Sequence, residues 1–341
     1  MDGRAGLSLR IVERLVRPRR LARAVYHVAG PESVDYGEDE VLAICVVRNG
    51  EAYVRSFLEH HLGLGVSHVV FLDNGSTDGT VDRARESDRV TILSCDLPYA
   101  KYENVMKRYL ARRFSPGRWN LCVDVDELFE YPFSNVLPLR SFLEYLNRHA
   151  YTAVVAQMLD MLPEGPLREA RIAPGRGLRE TFPFYDVADV RRTDYPFGNL
   201  SNPAVKMHWG GVRKAIFGTD NGLTKAALVR VDDSVGLFVK YHHAENVRIA
   251  DLTSVLLHFP FTDAFAGKVA DAVATGRYGP LTTREYEGYA KALAAGGGLG
   301  LRRPSARRLG RIEELVDAGF LVVSEDYLRW VDAHRKAGAA S

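Results

Sequence analysis

Short apolar runs alternate with amphipathic segments along the first part of the chain. The runs at residues 41–47, 68–72 and 89–95 have the length of buried β-strands, and segments with apolar residues at helical spacing separate them. A fourth run, at residues 119–125, ends in acidic residues. Strands separated by helices of about a dozen residues form βαβ units. The pattern therefore predicts an α/β fold with a mostly parallel central sheet flanked by helices.

Beyond residue 127 the alternation is less regular. Residues 151–161 and 253–259 have the apolar pattern of further strands, and residues 262–276 have that of a helix with Thr262 as its N-cap. Residues 163–224 are rich in Pro, Gly and Arg and match neither period. The sequence thus predicts three parts: a basic extension at residues 1–38, an α/β domain at residues 39–280 and a C-terminal helical extension at residues 281–341.

The composition excludes several classes of protein. Lys and Arg number 45 against 43 Asp and Glu, a net charge of +2, so no field over the whole molecule attracts nucleic acid. The three cysteines, Cys45, Cys95 and Cys122, are widely spaced without a CxxC pair, which argues against a disulfide framework and a zinc site. No apolar run approaches the length of a membrane span. A reducing, cytoplasmic setting is expected.

Residues 1–30 differ from the rest of the chain in charge. They hold seven arginines against two acids, a net charge of +5, and Leu7, Ile11 and Leu15 recur at helical spacing. One hypothesis is a helix that lies on an anionic membrane surface, which would place the protein at the inner face of the membrane. The alternative is a basic tail packed on the domain. The sequence leaves both open.

Three acids follow the fourth apolar run within four positions, in the segment DVDE. Asp124 and Asp126 are expected at the carboxyl end of a strand, the edge where α/β sheets bind ligands. In an extended chain, side chains two residues apart point the same way, so both carboxylates could address one cation. Mg²⁺ and Mn²⁺ prefer such oxygen ligands and share them with substrate phosphates. The alternative is that these acids, with Glu127, only stabilise the start of a helix.

A second polar cluster, FLDNGSTDGT at residues 71–80, begins as a strand and ends in a turn. Asp73 would lie at the carboxyl end of that strand, where it could accept hydrogen bonds from a base or a ribose. Ser76 or Thr77 would cap the next helix. A turn and a cap explain most of the segment, but not the position of Asp73.

Two segments carry a resemblance to a known family. ICVVRNGEAYVRSFLEHHLGLGVSHVVFLDNGSTDGT, from Ile44, and WNLCVDVDELFEYP, from Trp119, resemble family-2 glycosyltransferases with the GT-A fold. The likeness is greatest to a bacterial subgroup with a DVDE metal motif, which is related to the family-92 enzymes. It extends over residues 41–160 and continues more weakly through 210–218 and 256–261, whereas residues 1–38 lie outside it.

The resemblance implies a metal-dependent, inverting transfer of a sugar, of the hexosyltransferase type. The donor would be a nucleotide-diphospho-sugar and the acceptor a glycan, a lipid or a polysaccharide precursor. The implied cofactor is Mn²⁺ or Mg²⁺, with Asp124, Asp126 and His258 at the metal. The resemblance also implies a set of residues that contact the nucleotide-sugar: Val47, Arg48, Asn49, Asp73, Asp124, Val125 and Arg213.

One position departs from the family. Relatives have a lysine two residues after the histidine of the segment LLHFPF, where this chain has Pro260. If that lysine contacts the diphosphate, another cation must take its place here. Arg213 and Lys214 are the candidates.

An inverting transfer also needs a group that takes the proton of the acceptor hydroxyl. Asp160, at the end of the strand predicted after the acidic motif, is the candidate general base, because an apolar surround would raise its pKa. The alternative is a structural acid paired with Arg168 or Arg171. Further candidates for the base are Asp186, Asp220 and Glu245.

The histidines of the second half are weighed in the same way. His258 is expected at the end of a strand, where it is a candidate metal ligand. A single histidine such as His208 is more often structural. His242 and His243 would face opposite sides of a strand and so would not act together.

Two other functions remain open. A nucleotidyltransferase that makes sugar nucleotides shares a similar sheet, but it needs a Gly-rich basic loop after the first strand, where this chain has RNGEAYVRS. A binding protein could keep the nucleotide-sugar site without turnover, although Asp73, Asp124 and Asp126 are all present. A dinucleotide-binding oxidoreductase is disfavoured because no GxGxxG follows the first strand.

Overall fold

The computed structural model describes residues 16–172, 175–239, 242–295 and 300–339. Its strands are β1 Tyr26–Ala29, β2 Val41–Val47, β3 His68–Asp73, β4 Val90–Ser94, β5 Trp119–Cys122, β6 Glu127–Glu130, β7 Ala153–Leu162, β8 Phe184–Tyr185, β9 Val190–Asp194, β10 Asn199–Leu200, β11 Lys206–Gly210, β12 Thr224–Arg230, β13 Arg248–His258 and β14 Arg307–Arg308.

Helices follow most of the strands. Residues 16–24 are helical (α1). The other helices are α2 Glu51–Leu64, α3 Thr80–Ala84, α4 Tyr99–Phe114, α5 Leu139–Arg148, α6 Leu178–Thr181, α7 Gly211–Phe217, α8 Phe265–Thr275, α9 Pro280–Ala294, α10 Glu313–Asp317 and α11 Glu325–Ala339, with a 3₁₀ turn at Leu167–Glu169.

Most strands belong to one mixed sheet whose neighbours run in the order β1-β4-β3-β2-β5-β12-β7-β13-β10. β4, β3, β2 and β5 are parallel to one another. β12 is antiparallel to both β5 and β7, so β7 runs in the same direction as β5, and β13 is parallel to β7. The carboxyl ends of β2, β3, β4, β5, β7 and β13 therefore lie at one edge of the sheet.

Helices cover both faces of the sheet. Alternate side chains of each strand face opposite sides, so the apolar strands have an apolar surface on each face to bury. In β2, Ala43 and Cys45 belong to one apolar cluster, and Leu42 and Ile44 belong to the other. The first cluster also contains side chains of α2, α5 and α11, and the second contains side chains of α4. The predicted α/β fold with a mostly parallel central sheet flanked by helices is confirmed.

The described part of the predicted N-terminal extension packs on the domain. Leu21 of α1 is fully buried in the cluster that contains the side chains of α4. β1 pairs antiparallel with β4 and extends the sheet at its edge. The helical spacing predicted for residues 7–15 lies outside the described residues. Within the described ranges, no helix is long and apolar enough to cross a membrane.

The predicted C-terminal extension is largely helical, and it packs on the same core. α9 packs against α8, and β14 pairs with β8. Tyr327 of α11 is fully buried, and its hydroxyl donates a 2.6 Å hydrogen bond to the carbonyl of Pro132. The packing of these elements is thus continuous with that of the α/β domain.

The helix predicted at residues 262–276 is shorter than expected. It begins at Phe265 with Ala264 as its N-cap, and no side chain caps it. Thr262 contributes its carbonyl, which accepts the N–H of Phe265, so the prediction of a Thr262 side-chain cap is wrong. The helix ends at Thr275 because Gly276 has a φ of 56°, in the left-handed region that favours glycine.

Two buried histidines make the stability of the fold depend on pH. Burial is the main cause that lowers the pKa of both His208 and His243 to about 3. In an unfolded chain a histidine titrates near pH 6.5. Between these two values the unfolded chain binds protons that the folded chain does not, so the free energy of unfolding falls as the pH falls from 6.5.

Replacement of His208 by phenylalanine should reduce this pH dependence. The ring of His208 packs on Phe320 with centroids 4.9 Å apart, and its Nδ1 has no hydrogen-bond partner, so His208→Phe keeps the packing and removes the titration. We expect the loss of stability below pH 6.5 to be shallower by about 1.4 kcal/mol per pH unit. Urea unfolding at pH 5 and pH 7 measures it, with the exposed His27→Phe as control. An unchanged slope in His208→Phe would contradict the prediction.

Candidate active site

A cleft of about 1130 Å³ opens at the carboxyl edge of the sheet. The ends of β2, β5 and β13 contribute Val47, Asp124, Asp126 and His258 to its lining. The helices α8 and α9, and the turn between them, line the opposite side. The cleft therefore lies where parallel α/β sheets bind ligands.

The DVDE segment forms a turn between β5 and β6. The N–H of Glu127 donates to the carbonyl of Asp124, and the N–H of Asp124 donates to the carboxylate of Glu127, both at 3.0 Å. Because the chain turns here, the extended geometry predicted for Asp124 and Asp126 is wrong. The two carboxylates have different cationic partners.

Two lysines hold Asp124. Lys107 Nζ lies 3.2 Å from one carboxylate oxygen, and Lys225 Nζ lies 2.8 Å from the other. Lys225 also lies 2.5 Å from Glu127, and Lys107 lies 3.4 Å from Glu103. Although burial opposes ionisation, the two lysines hold the pKa of Asp124 well below its usual range. Both oxygens of Asp124 are thus engaged within the protein.

Asp126 has a different set of neighbours. Lys268 Nζ lies 3.2 Å from its Oδ2, and His258 Nε2 lies 3.7 Å from the same oxygen. Burial opposes ionisation of the carboxylate, but Lys268 and then His258 hold the pKa of Asp126 well below its usual range. Asp126 is therefore a buried anion that lines the cleft and contacts a half-exposed lysine and an imidazole.

His258 is held between two carboxylates. Its Nδ1 lies 2.7 Å from Asp160 Oδ1, and its Nε2 faces Asp126. Burial lowers its pKa, but the two carboxylates outweigh burial and raise it to about 9. In the neutral ring, an Nδ1–H that donates to Asp160 leaves the Nε2 lone pair directed at the Asp126 side.

Asp160 is ion-paired rather than free. The Nε and Nη2 atoms of Arg213 donate to its two oxygens at 2.9 and 2.8 Å, and Arg213 Nη1 lies 3.2 Å from Glu285. Burial favours the neutral acid, but Arg213 and His258 hold the pKa of Asp160 well below its usual range. The raised pKa expected for Asp160 is wrong, because its surround is an arginine and a histidine rather than apolar.

Of the two cations proposed to replace a lysine at Pro260, Arg213 lines the cleft and Lys214 does not. Arg213 is buried between Asp160 and Glu285. Lys214 is half-exposed and lies 3.7 Å from Asp220. The cation nearest Asp126 is Lys268 of α8, which sequence reasoning missed. Its only signal in the sequence was a lysine within the helix predicted at residues 262–276, directly after the segment LLHFPF.

The residues predicted to contact the nucleoside fall into two groups. Val47, Arg48 and Val125 line the cleft, and Arg48 is exposed, with no hydrogen bond or ion pair to any described residue. Asn49 has a φ of 52°, and its side-chain oxygen accepts the N–H of Thr77 at 2.8 Å. Asn49 therefore ties the loop at the end of β2 to the loop after β3.

Asp73 shapes the loop that follows β3. It is buried, and its carboxylate accepts the N–H groups of Gly75 and Ser76 at 3.2 Å. It does not line the cleft, whereas Gly75 and Asp96 beside it do. Asp96, at the end of β4, is a second acid that sequence reasoning missed, although it follows an apolar run as Asp73 does.

The remaining candidates are distributed unevenly. Asp186 pairs with Arg303 outside the cleft lining, and Glu245 is exposed and also outside it. Asp220 lines the cleft, but it pairs with Arg191 at 3.0 Å. His242 lies in a turn and contacts Glu103 and Lys107, so it is not a strand residue as predicted. Within the described residues, no group of three or more His, Cys, Asp or Glu is placed to hold a metal ion.

No family model and no curated protein matches this chain. Several solved structures are similar to it at low identity. The glucosyl-3-phosphoglycerate synthase from Mycobacterium tuberculosis, in complex with Mn²⁺ and UDP-glucose, is 21% identical with a TM-score of 0.26, over 39% of this chain and 52% of that one. S. aureus TarS is 19% identical with a TM-score of 0.25, over 37% of this chain and 22% of that one.

A third similarity runs along almost the whole chain. The mannosyltransferase PcManGT from Pyrobaculum calidifontis, in complex with GDP-mannose and Mn²⁺, is 15% identical with a TM-score of 0.31, over 98% of this chain and 96% of that one. The chain spans about half the length of the M. tuberculosis synthase and about a fifth of TarS. All three TM-scores are below 0.5, so these similarities assign no function to this chain.

Proposed function

We propose that this chain is a metal-dependent glycosyltransferase that moves a sugar from a nucleotide-diphospho-sugar to an acceptor hydroxyl. The observation that carries the proposal is the pairing of Asp126 with His258 at the carboxyl edge of the sheet, beside a cleft of about 1130 Å³. That edge is where α/β sheets bind ligands. The resemblance of residues 41–160 to family-2 glycosyltransferases supports the same reaction.

The residues of this site fit Mn²⁺ or Mg²⁺. Asp126 offers a carboxylate oxygen, and His258 Nε2 lies 3.7 Å from it. Asp160 contacts the other ring nitrogen of His258, which is the arrangement that orients metal-ligating histidines. Cations of this kind commonly take one or two protein carboxylates and complete their shell with water and substrate phosphates. We assign Asp126 and His258 as ligands, and the lysine-bound Asp124 as an electrostatic support.

The chemistry needs charge to be balanced at the leaving diphosphate. When bound, a divalent cation neutralises the negative charge that develops there. Val47 and Val125 offer apolar surface to the nucleoside, and the unpaired Arg48 can meet a phosphate. Asp73 and Asn49 act indirectly, because their hydrogen bonds hold the loops after β3 and β2 at this part of the cleft.

We assign Asp160 as a positioning residue rather than as the general base. Its bidentate bond to Arg213 and its contact with His258 keep it ionised, and a carboxylate of lowered pKa is a weak base. Asp160 contacts His258, which we assign as a metal ligand. The base is then another acid that lines the cleft, and Asp220 and Glu285 are the candidates.

Removal of the Asp126 charge should abolish the response to metal. In thermal-shift measurements with UDP-, GDP- and dTDP-sugars, we expect one donor to raise the Tm of the wild type in the presence of Mn²⁺, because binding to the folded state stabilises it. At a donor concentration near 100 times Kd this amounts to about 2.7 kcal/mol. Asp126→Asn should lose the Mn²⁺-dependent part, whereas Asp194→Asn, the same change at an exposed acid, should keep it.

Assays of turnover, alongside the thermal-shift measurements, separate the alternative functions. Full turnover by Asp126→Asn in EDTA would contradict the metal role. A shift in Tm without release of nucleoside diphosphate under any acceptor condition would favour a binding protein. Formation of a sugar nucleotide from a sugar phosphate and a nucleoside triphosphate would favour a nucleotidyltransferase.

The two roles considered for Asp160 predict different effects of its replacement on the affinity for Mn²⁺. If Asp160 orients His258, Asp160→Asn should weaken Mn²⁺ binding by about 10- to 100-fold, the usual effect of losing such a partner. Isothermal titration with Mn²⁺ measures it. Glu285→Gln removes the other acid on Arg213 without touching His258, and it should leave Mn²⁺ affinity unchanged. Normal Mn²⁺ affinity with a rate about 100-fold lower would instead identify Asp160 as the base.

We also propose that the protein is cytoplasmic and that its N-terminal segment brings it to the inner membrane surface, near a lipid-linked acceptor. Arg19, Arg20 and Arg23 of α1 are exposed, as are Val16 and Tyr26 beside them. Basic residues near apolar ones favour anionic lipid surfaces. Leu21 is buried in the core and cannot contribute to such contact.

Deletion of residues 1–15 should therefore weaken binding to anionic vesicles without loss of the fold. It removes three arginines and leaves Leu21 and β1 in place. At low salt, we expect about 1 kcal/mol less binding for each arginine lost. Co-sedimentation with phosphatidylserine vesicles measures this, with phosphatidylcholine vesicles as control. Equal partition of the deleted and full-length chains would contradict membrane contact.

A further inference from the structure

Lys268 occupies an unusual position for a half-exposed lysine. It lies on α8, and its Nζ is 3.2 Å from Asp126 Oδ2. The side chain of Lys268 is 42% exposed, whereas that of Asp126 is 10% exposed. Within the described ranges, Asp126 is the acid that pairs with it. A half-exposed lysine on the cleft wall thus pairs with the buried carboxylate of the candidate metal site.

The protein without metal needs a cation at this point. A buried carboxylate without a partner is strongly unfavourable, and Asp126 is buried. Lys268 is the nearest charged group that can leave, because His258 is fixed by Asp160 on its other side. Lys107 and Lys225 hold Asp124 with little exposure to solvent, so they are not exchangeable in the same way.

A divalent cation on Asp126 would compete with Lys268 for the same carboxylate. The ammonium group and the metal ion repel each other, so one has to move. The lysine is the mobile one, since its four-carbon stem is flexible and half in water. The diphosphate of a donor brings new negative charge to the same place, and it gives the displaced ammonium a partner.

We propose that Lys268 is a placeholder cation that couples metal binding to donor binding. Without nucleotide, Lys268 neutralises Asp126 and weakens metal binding. With nucleotide, Lys268 moves to the diphosphate and frees Asp126 for the metal. This inference rests on the proposed function, since it uses the same metal ligands and the same class of donor. By thermodynamic linkage, the metal must strengthen nucleotide binding by the same factor as the nucleotide strengthens metal binding.

Removal of the Lys268 charge should therefore strengthen the binding of Mn²⁺ alone and weaken the binding of a nucleoside diphosphate in the presence of Mn²⁺. In Lys268→Met the competitor is lost, so Mn²⁺ alone should bind about twofold to fivefold more tightly, the scale of a partly exposed ion pair. The diphosphate loses a contact, so UDP or GDP in the presence of Mn²⁺ should bind about tenfold more weakly. Methionine keeps the helix and the length of the side chain.

The experiment titrates the protein with Mn²⁺ alone, with UDP or GDP alone, and with UDP or GDP in the presence of Mn²⁺. Calorimetry measures the binding, and the electron paramagnetic resonance signal of free Mn²⁺ measures the metal that remains unbound. The variants are Lys268→Met, Lys268→Arg and Lys206→Met. Lys268→Arg keeps the charge and should keep most of the coupling. Lys206 pairs with the exposed Asp194 on β9, away from the cleft lining, so Lys206→Met should match the wild type.

The outcomes separate this proposal from the proposed function. Unchanged or weaker Mn²⁺ binding by Lys268→Met overturns the placeholder role. Unchanged nucleotide affinity in the presence of Mn²⁺ overturns the transfer of the lysine to the diphosphate. In both cases a wild type that binds Mn²⁺ and nucleotide together leaves the proposed function intact. A wild type that binds no Mn²⁺ with either nucleotide overturns both.

Discussion

Buried negative charge at the carboxyl edge of the sheet is the constraint on which the site depends. Asp124, Asp126 and Asp160 lie on neighbouring segments of that edge, and each carboxylate is largely or partly removed from water. An unpaired carboxylate in such a place is strongly unfavourable, so each needs a cation. Lysines and an arginine from four different elements supply them: Lys107 of α4, Lys225 of β12, Arg213 of α7 and Lys268 of α8.

The way each charge is paired separates the roles of the acids. Asp124 has one lysine on each oxygen, and Asp160 has a two-pronged bond to Arg213, so both are fixed. Asp126 has a half-exposed lysine at 3.2 Å and an imidazole at 3.7 Å. Only a charge whose partners can rearrange is available to an incoming cation. This is the physical reason to assign the metal to Asp126 and His258, and a supporting role to Asp124.

The helical pair α8 and α9 connects this edge to the other side of the cleft. Lys268 of α8 pairs with Asp126, and Glu285 of α9 pairs with Arg213. Tyr278, in the turn between the two helices, packs edge-to-face on Tyr99 at the start of α4, with centroids 6.2 Å apart. The contacts named here, within the described residues, are two ion pairs and one ring contact.

The sequence by itself determined the elements and the edge. Periodicity predicted β2, β3, β4 and β5 and the helices between them, because burial imposes the pattern of apolar positions. It also predicted that DVDE would meet a ligand edge, because parallel strands end together. The periodicity of the sequence did not predict which cations pair with Asp124, Asp126 and Asp160. Lys268 is 142 residues from Asp126, Lys225 is 101 residues from Asp124, and Arg213 is 53 residues from Asp160. Charge pairing depends on distance in space, so only the tertiary structure decided that Asp160 would be held by an arginine and Asp126 by a half-exposed lysine.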